Sequence, residues 1–221
     1  MTILNCYVDQ RRALVASDTR SIVAGSEPVH VQKLFPLPHL NAVIAFRGSC
    51  LFFICAYSAI WGATPEPSDL AAQAPSLLQK AYQEALIIAE KRGLTDVDHL
   101  HGSQEMMLAG WPKMNPAPFA CLYANRPSQT EFMAERIELG GDYKAPIDLD
   151  GSFGAGNMPC STVEEMVQLA LVQKALMERY YPGHAAVPGG NLIVAEIRGG
   201  GMTIATACDL DLPASDAKWK T

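Results

Sequence analysis

With 221 residues, the chain is long enough to bury one sizeable core, and 49% hydrophobic against 18% charged residues argues against intrinsic disorder. The net charge of −6, with basic residues scattered singly or in pairs, argues against nucleic acid and anionic membranes as partners. The longest apolar run, 51–63, is too short to span a bilayer. Six cysteines without a CxxC pair, and no signal-peptide pattern at the start, predict a reduced, cytoplasmic protein.

Four strand-like runs open the chain. They are rich in Val, Ile, Leu and Tyr, and turn residues separate them: 2–8, 13–17, 31–35 and 42–46. Two helical patterns follow. The first, 49–61, is apolar on all sides, and the second begins at Ser68 or Ser76 and ends before Gly93.

The second half of the chain returns to strands and then to a helix. Three strand candidates precede a glycine-punctuated loop over 140–157, and they cover 105–111, 118–125 and 131–139. The segment 161–165 has the spacing of a capping box, which predicts a helix that continues over 166–181. Two last strands, 191–197 and 202–207, precede a polar, loose tail that begins near residue 209.

The order of these elements predicts the fold class. Runs of strands alternate with runs of helices, whereas a doubly wound parallel sheet would show single βα units. We therefore expect an α+β fold in which antiparallel sheets are covered by layers of helices. The length favours a single domain over 1–221.

Polar residues at fixed spacing mark the start of the chain. Thr2 begins the first strand, Asp18-Thr19-Arg20 follows the second, and Lys33 opens the third. The segments 151–154 and 189–195 add two glycine-containing landmarks. Together they resemble the proteasome β-type subunits of the N-terminal-nucleophile (Ntn) hydrolase superfamily over nearly the whole chain. The resemblance implies the Ntn-hydrolase fold, a four-layer αββα sandwich of two antiparallel sheets covered by helices.

The same resemblance implies a threonine-type amide or peptide hydrolase. Its nucleophile would be the hydroxyl of Thr2 after removal of Met1, because a hydroxyl needs an adjacent base and the freed α-amine can take its proton. Lys33 would supply positive charge beside this hydroxyl. Asp18 would hold that lysine, and Arg20 would steady the Asp18 carboxylate.

Two further residues complete the site that the resemblance implies. The Ser152 hydroxyl would join the hydrogen-bond network around the amine, and the backbone N–H of Phe46 would stabilise the oxyanion. Each residue of the set also has an ordinary interpretation. Asp18-Thr19-Arg20 is typical of a turn after a strand, Lys33 of a solvated cation, and Gly151-Ser152 of a loop.

One departure from the family pattern supports an alternative function. Active relatives hold the amine with an Asp and a Ser near the second Gly-Gly pair, whereas this sequence reads His-Ala-Ala-Val-Pro over 184–188. The segment between Ser152 and Thr162 is also shorter than usual. The alternative is a catalytically inactive proteasome-like subunit that acts as a scaffold or binding module.

The expected partners follow from these interpretations. The substrate would be a peptide or an amide, and the helix over 49–61, apolar on all sides, predicts a homo-oligomer. We expect no cofactor. The metal-like cluster of His99 and His101, with two aspartates upstream, has no third ligand at a suitable spacing, so a solvated loop is favoured over a metal site.

Overall fold

The computed structural model describes residues 2–21, 27–62, 67–94, 98–113, 117–127, 129–147, 154–182 and 187–212. The strands in chain order are β1 (Leu4–Val8), β2 (Ala13–Asp18), β3 (Arg20–Ser21), β4 (Val29–His30), β5 (Leu34–Leu37), β6 (Ala42–Arg47), β7 (Glu105–Gly110), β8 (Phe119–Ala124), β9 (Met133–Ile137), β10 (Asp142–Ala145), β11 (Asn191–Arg198) and β12 (Gly201–Asp209). The helices are α1 (Cys50–Trp61), α2 (Pro67–Lys91), α3 (Asp98–His101) and α4 (Val163–Tyr180), with 3₁₀ turns at Pro38–Leu40 and Ala155–Asn157.

The strands form two five-stranded antiparallel sheets and one short ribbon. The first sheet has the order β10-β1-β2-β11-β12, and the second has the order β5-β6-β7-β8-β9. β3 and β4 pair only with each other, through Arg20 with His30 and Ser21 with Val29. The predicted α+β class, with antiparallel sheets, is confirmed.

Three apolar clusters show how these elements pack. One lies between the sheets, where Val15 of β2 and Ala195 of β11 share a cluster with Val43 of β6. A second joins α1 and α2 to the outer face of the second sheet, and a third joins α4 to the outer face of the first. No helix in the described residues is both long and apolar enough to cross a membrane.

β6 shows why the central strands are apolar throughout. Its side chains alternate between two buried surfaces: Ile44 and Phe46 pack toward α1 and α2, and Val43 and Ala45 pack toward the other sheet. A strand that is buried on both faces needs apolar residues at every position. This accounts for the unbroken run Ala-Val-Ile-Ala-Phe in the sequence.

Helix α2 contains a proline, and a neighbouring strand compensates for it. Pro75 lies inside the helix and has no N–H to donate to the carbonyl oxygen of Ala71. The hydroxyl of Tyr123, on β8, donates to that oxygen at 2.8 Å instead. The helix therefore begins at Pro67 and passes through Pro75, so the start near Ser68 is the correct one of the two predicted.

The capping box before α4 is confirmed. The Thr162 side chain accepts a hydrogen bond from the N–H of Glu165, and the Glu165 carboxylate accepts one from the N–H of Thr162. β10 lies within the loop predicted over 140–157, and it was not predicted because Asp142–Ala145 is only four residues long and is defined by its pairing with β1.

Candidate active site

Lys33 is the centre of a buried polar cluster at one end of the first sheet. Its Nζ donates to Thr2 Oγ1 at 3.0 Å, to Asp18 Oδ1 at 3.0 Å and to the backbone carbonyl of Arg20. An ammonium group has three protons to donate, so these contacts use all of them. The structure therefore brings together Thr2, Asp18 and Lys33, three of the residues that the resemblance implied.

Strand pairing explains why Thr2 and Asp18 meet. Leu4 of β1 pairs with Ser17 of β2, so the residues that precede β1 lie beside the end of β2. The N–H of Ile3 donates to Asp18 Oδ1 at 2.8 Å, which fixes the backbone next to Thr2. Lys33 reaches the same place because it directly precedes β5, at the same end of the second sheet.

The electrostatics of the cluster are those of a buried ion pair. The Asp18 side chain has no exposed surface, and that of Lys33 is 11% exposed. Burial lowers the pKa of Lys33 below its ordinary value, and the negative charge of Asp18 opposes this shift. Such a cation beside a hydroxyl reduces the cost of forming an alkoxide on Thr2.

Arg20 does not have the contact that was predicted for it. Its guanidinium donates to Asp211 Oδ1 at 2.7 Å. Among the described residues, the Asp18 carboxylate accepts hydrogen bonds from the Lys33 ammonium and from the backbone N–H groups of Ile3 and Gly189. Arg20 contributes to the cluster through its backbone carbonyl, which Lys33 contacts. The geometric reason is that Arg20 lies in β3, beyond the end of β2, where its side chain reaches the segment that follows β12.

A glycine turn connects Asp211 to Asp18. The N–H of Gly190 donates to Asp211 Oδ2 at 3.0 Å, and the N–H of Gly189 donates to Asp18 Oδ2 at 3.2 Å. A Cβ at Gly189 would lie 2.5 Å from the Arg20 guanidinium carbon, so a larger residue there would require the Arg20 side chain to move. Residues 209–212, the described part of the predicted loose tail, are therefore held against the site, and 213–221 lie outside the described residues.

Phe46 is placed differently from its predicted role. Its N–H donates to the carbonyl oxygen of Lys33 at 3.0 Å, so this N–H is engaged in the sheet and is not open to an oxyanion. Its ring packs against Phe53 of α1, with centroids 4.7 Å apart, and is 5% exposed. Phe46 is a core residue because β6 directs it toward the helices.

Two predicted participants lie outside the described residues: Ser152 and Met1. The same holds for residues 95–97, which belong to the predicted metal-like loop. Within the described chain, no group of three or more His, Cys, Asp or Glu side chains is arranged to hold a metal ion.

A cleft of about 310 Å³ opens beside the cluster, and sequence reasoning did not find it. Its walls include Thr19, the residue after Asp18, and Gln32, the residue before Lys33. Thr2 and Lys33 themselves do not line it. His30 also lines the cleft, and its Nδ1 lies 3.2 Å from the hydroxyl of Thr19. No motif signals this cleft, because it forms where β12 meets the segment after β4.

The fold was compared with proteins of known structure. The Anbu (ancestral beta-subunit) protein from Yersinia bercovieri has a TM-score of 0.60 and 14% sequence identity, covering 93% of this chain and 88% of that one. The structure described as a helical assembly of the Anbu complex from Pseudomonas aeruginosa has a TM-score of 0.64 and 14% identity, covering 96% and 88%. The chain shares the fold of the Anbu proteins.

A third similar structure is an Anbu (Gly-1) mutant from Hyphomicrobium sp. strain MC1, with a TM-score of 0.60 and 15% identity over 95% of this chain and 89% of that one. No protein-family model and no curated protein matches the sequence. The similar structures correct the resemblance drawn from the sequence. Assignment to the proteasome β-type subunits was wrong, because the matches are to Anbu, a related but distinct proteasome-like family.

Proposed function

We propose that this chain is a self-assembling, proteasome-like subunit that acts as a scaffold or binding module. The shared fold with Anbu proteins supports this proposal, and one of those structures is described as a helical assembly. We also infer that the layers of helices and sheets correspond to the αββα sandwich of Ntn hydrolases. The three apolar clusters support that inference, since they separate four layers.

The observation that carries the proposal is the apolar surface of α1 and α2. On α1, Ile54 is 57% exposed and Trp61 is 51% exposed, and seven residues on a helix bring both side chains to the same face. On α2, Ile87 is 49% exposed. Two large apolar side chains exposed on one face of α1 favour a surface that another subunit covers.

The test is to place a charge on this surface. Ile54→Asp and Trp61→Asp should dissociate the assembly, because a carboxylate in an apolar interface loses its hydration. Met133→Asp is the matched control, since Met133 is 68% exposed but lies on β9 of the second sheet. Sedimentation velocity measures the mass of each variant. Unchanged sedimentation of the two helix variants would contradict the proposal.

A second candidate function is a threonine-type amide hydrolase. The 3.0 Å contact between Lys33 Nζ and Thr2 Oγ1 favours it. After removal of Met1, the Thr2 hydroxyl would attack an amide carbonyl and pass its proton to the α-amine. The amine would return that proton to the leaving nitrogen, and water would then hydrolyse the ester on Thr2. Lys33 would stabilise the charge that develops on the oxygen of Thr2.

Intact mass spectrometry tests this second function. If Thr2 is the nucleophile, the native protein lacks Met1, gains the mass of one peptide epoxyketone, and loses this reactivity in Lys33→Ala. A rate loss of at least about 10²-fold is expected for Lys33→Ala, comparable to the loss of one transition-state donor. Full hydrolysis with Met1 retained, or normal turnover in Lys33→Ala, would exclude the mechanism.

A further inference from the structure

The two five-stranded sheets have four edge strands, and three of them have features that prevent pairing with another strand. β5 contains Pro36, which has no N–H to donate. β9 contains the charged pair Glu135 and Arg136. β10 is only four residues long and carries an ion pair between Lys144 and Asp142 at 2.7 Å.

The fourth edge, β12, has none of these features. At nine residues it is the longest of the four, and it has no proline and no charge from Gly201 to Cys208. Among the described strands its one neighbour is β11. The register with β11 shifts at Ala207, so the regular stretch covers 201–206. This stretch presents backbone N–H and C=O groups that another strand can bind.

The cleft of about 310 Å³ lies beside this stretch. Three consecutive residues of β12 line it: Ile204, Ala205 and Thr206. Successive side chains along a strand point to opposite faces of the sheet. Three consecutive residues can therefore line one cleft only if the strand backbone also forms part of its wall. The cleft and the open edge are therefore continuous.

We propose that residues 201–206 bind an extended peptide segment by strand addition, with one uncharged side chain of that peptide in the cleft. Main-chain hydrogen bonds to an edge strand give affinity in this mode of recognition, and a side-chain pocket gives selectivity. Hydroxyl, amide, imidazole and aliphatic groups line the cleft, without Lys, Arg, Asp or Glu. A neutral side chain suits this lining, because a charged one would be desolvated without a partner.

The position of the cleft connects this binding site to the candidate active site. Thr19, which lines the cleft, directly follows Asp18. Gln32, which also lines it, directly precedes Lys33. A peptide on β12 would thus lie beside the Lys33 cluster. The inference concerns binding alone, and it holds whether or not Thr2 reacts.

The experiment uses the full chain with Thr2→Ala, so that loss of binding cannot be confused with loss of catalysis. The probe is a fluorescein-labelled, acetylated and amidated peptide, Lys-Thr-Val-Thr-Val-Thr-Lys, titrated by fluorescence anisotropy. Saturable binding is expected. N-methylation of alternate amides of the peptide should weaken it by about tenfold or more, because each lost backbone hydrogen bond weakens association.

Protein variants locate the binding site. Ala205→Lys should weaken binding by about tenfold or more, since a lysine on an edge strand opposes pairing. Ala134→Lys is the matched control, because Ala134 is also an exposed alanine on an edge strand, β9. It should bind the peptide as the parent does.

Four results would overturn the proposal. The first is no saturable binding, and the second is equal binding by the parent and by Ala205→Lys. The third is a parent protein that does not bind the peptide but forms dimers, with Ala205→Lys dissociating those dimers. The occupant of the edge would then be a second copy of the chain. The fourth is binding only after removal of residues 213–221, which would make the chain's own tail the occupant.

Discussion

The ammonium of Lys33 lies 3.0 Å from Oδ1 of Asp18, a carboxylate with no exposed surface. Removing one partner of such a pair leaves the other charge buried alone. Lys33→Met should therefore lower the free energy of unfolding by about 3–5 kcal/mol. Adding Asp18→Asn should recover part of this loss, since the lone carboxylate is then neutral. Urea unfolding measures each variant, and a loss below about 1 kcal/mol in Lys33→Met would contradict the buried pair.

Arg20 should matter far less for stability than Lys33. Its ion pair with Asp211 is partly exposed, with side chains 24% and 35% accessible, and such pairs contribute about 0.2–1 kcal/mol. Arg20→Met should therefore lower the unfolding free energy by no more than about 1 kcal/mol. A loss as large as that of Lys33→Met would mean instead that Arg20 supports Asp18.

Tyr123 should be coupled energetically to Pro75. Tyr123→Phe removes the donor to the Ala71 carbonyl and should cost about 1–3 kcal/mol of unfolding free energy. In a Pro75→Ala background, the new N–H at position 75 can serve that carbonyl, so the same change should cost less than about 1 kcal/mol. Urea unfolding of the double-mutant cycle measures the difference. Equal costs in both backgrounds would show that Tyr123 does not compensate for the proline.

The capping box of α4 should give a pH-dependent contribution to stability. Hydrogen bonds from Ser161 hold the pKa of Glu165 below its ordinary value, so the folded chain keeps this carboxylate ionised to lower pH than the unfolded chain. Its stabilising effect is therefore present above the unfolded value of about 4.3 and is lost as pH falls through the folded pKa. Glu165→Gln should be less stable than the parent at pH 7, with the gap closing in acid. A gap that is independent of pH would contradict the ionised cap.

Much of the fold could be predicted because local patterns agree with tertiary packing. The unbroken apolar run of β6 and the capping box at Thr162 are both local patterns that indicate their elements, and tertiary packing agrees with them. β10 could not be predicted, since its residues gain their strand geometry from β1. The same distinction, between local sequence patterns and contacts set by distant strands, applies to the residues of the candidate active site.

The grouping of Thr2, Asp18 and Lys33 could be predicted because their spacing in the sequence resembles that of the proteasome β-type subunits. The partner of Arg20 could not be predicted from the sequence. Asp211 lies 191 positions further along the chain, and it meets Arg20 only after β12 has joined β11. Phe46 was misassigned for a related reason. Its role depends on which face of β6 it occupies and on the pairing of its N–H with Lys33, and both are set by neighbouring strands.

The most direct test of the account is the mass of the unmodified protein in solution. Light scattering behind a sizing column, at micromolar concentration, should give a mass of at least twice 23.9 kDa, because the proposed assembly would cover the exposed Ile54 and Trp61 with another subunit. Dilution should shift this mass reversibly toward that of the monomer. A single monodisperse species at 23.9 kDa would contradict the proposal that the chain is a self-assembling subunit.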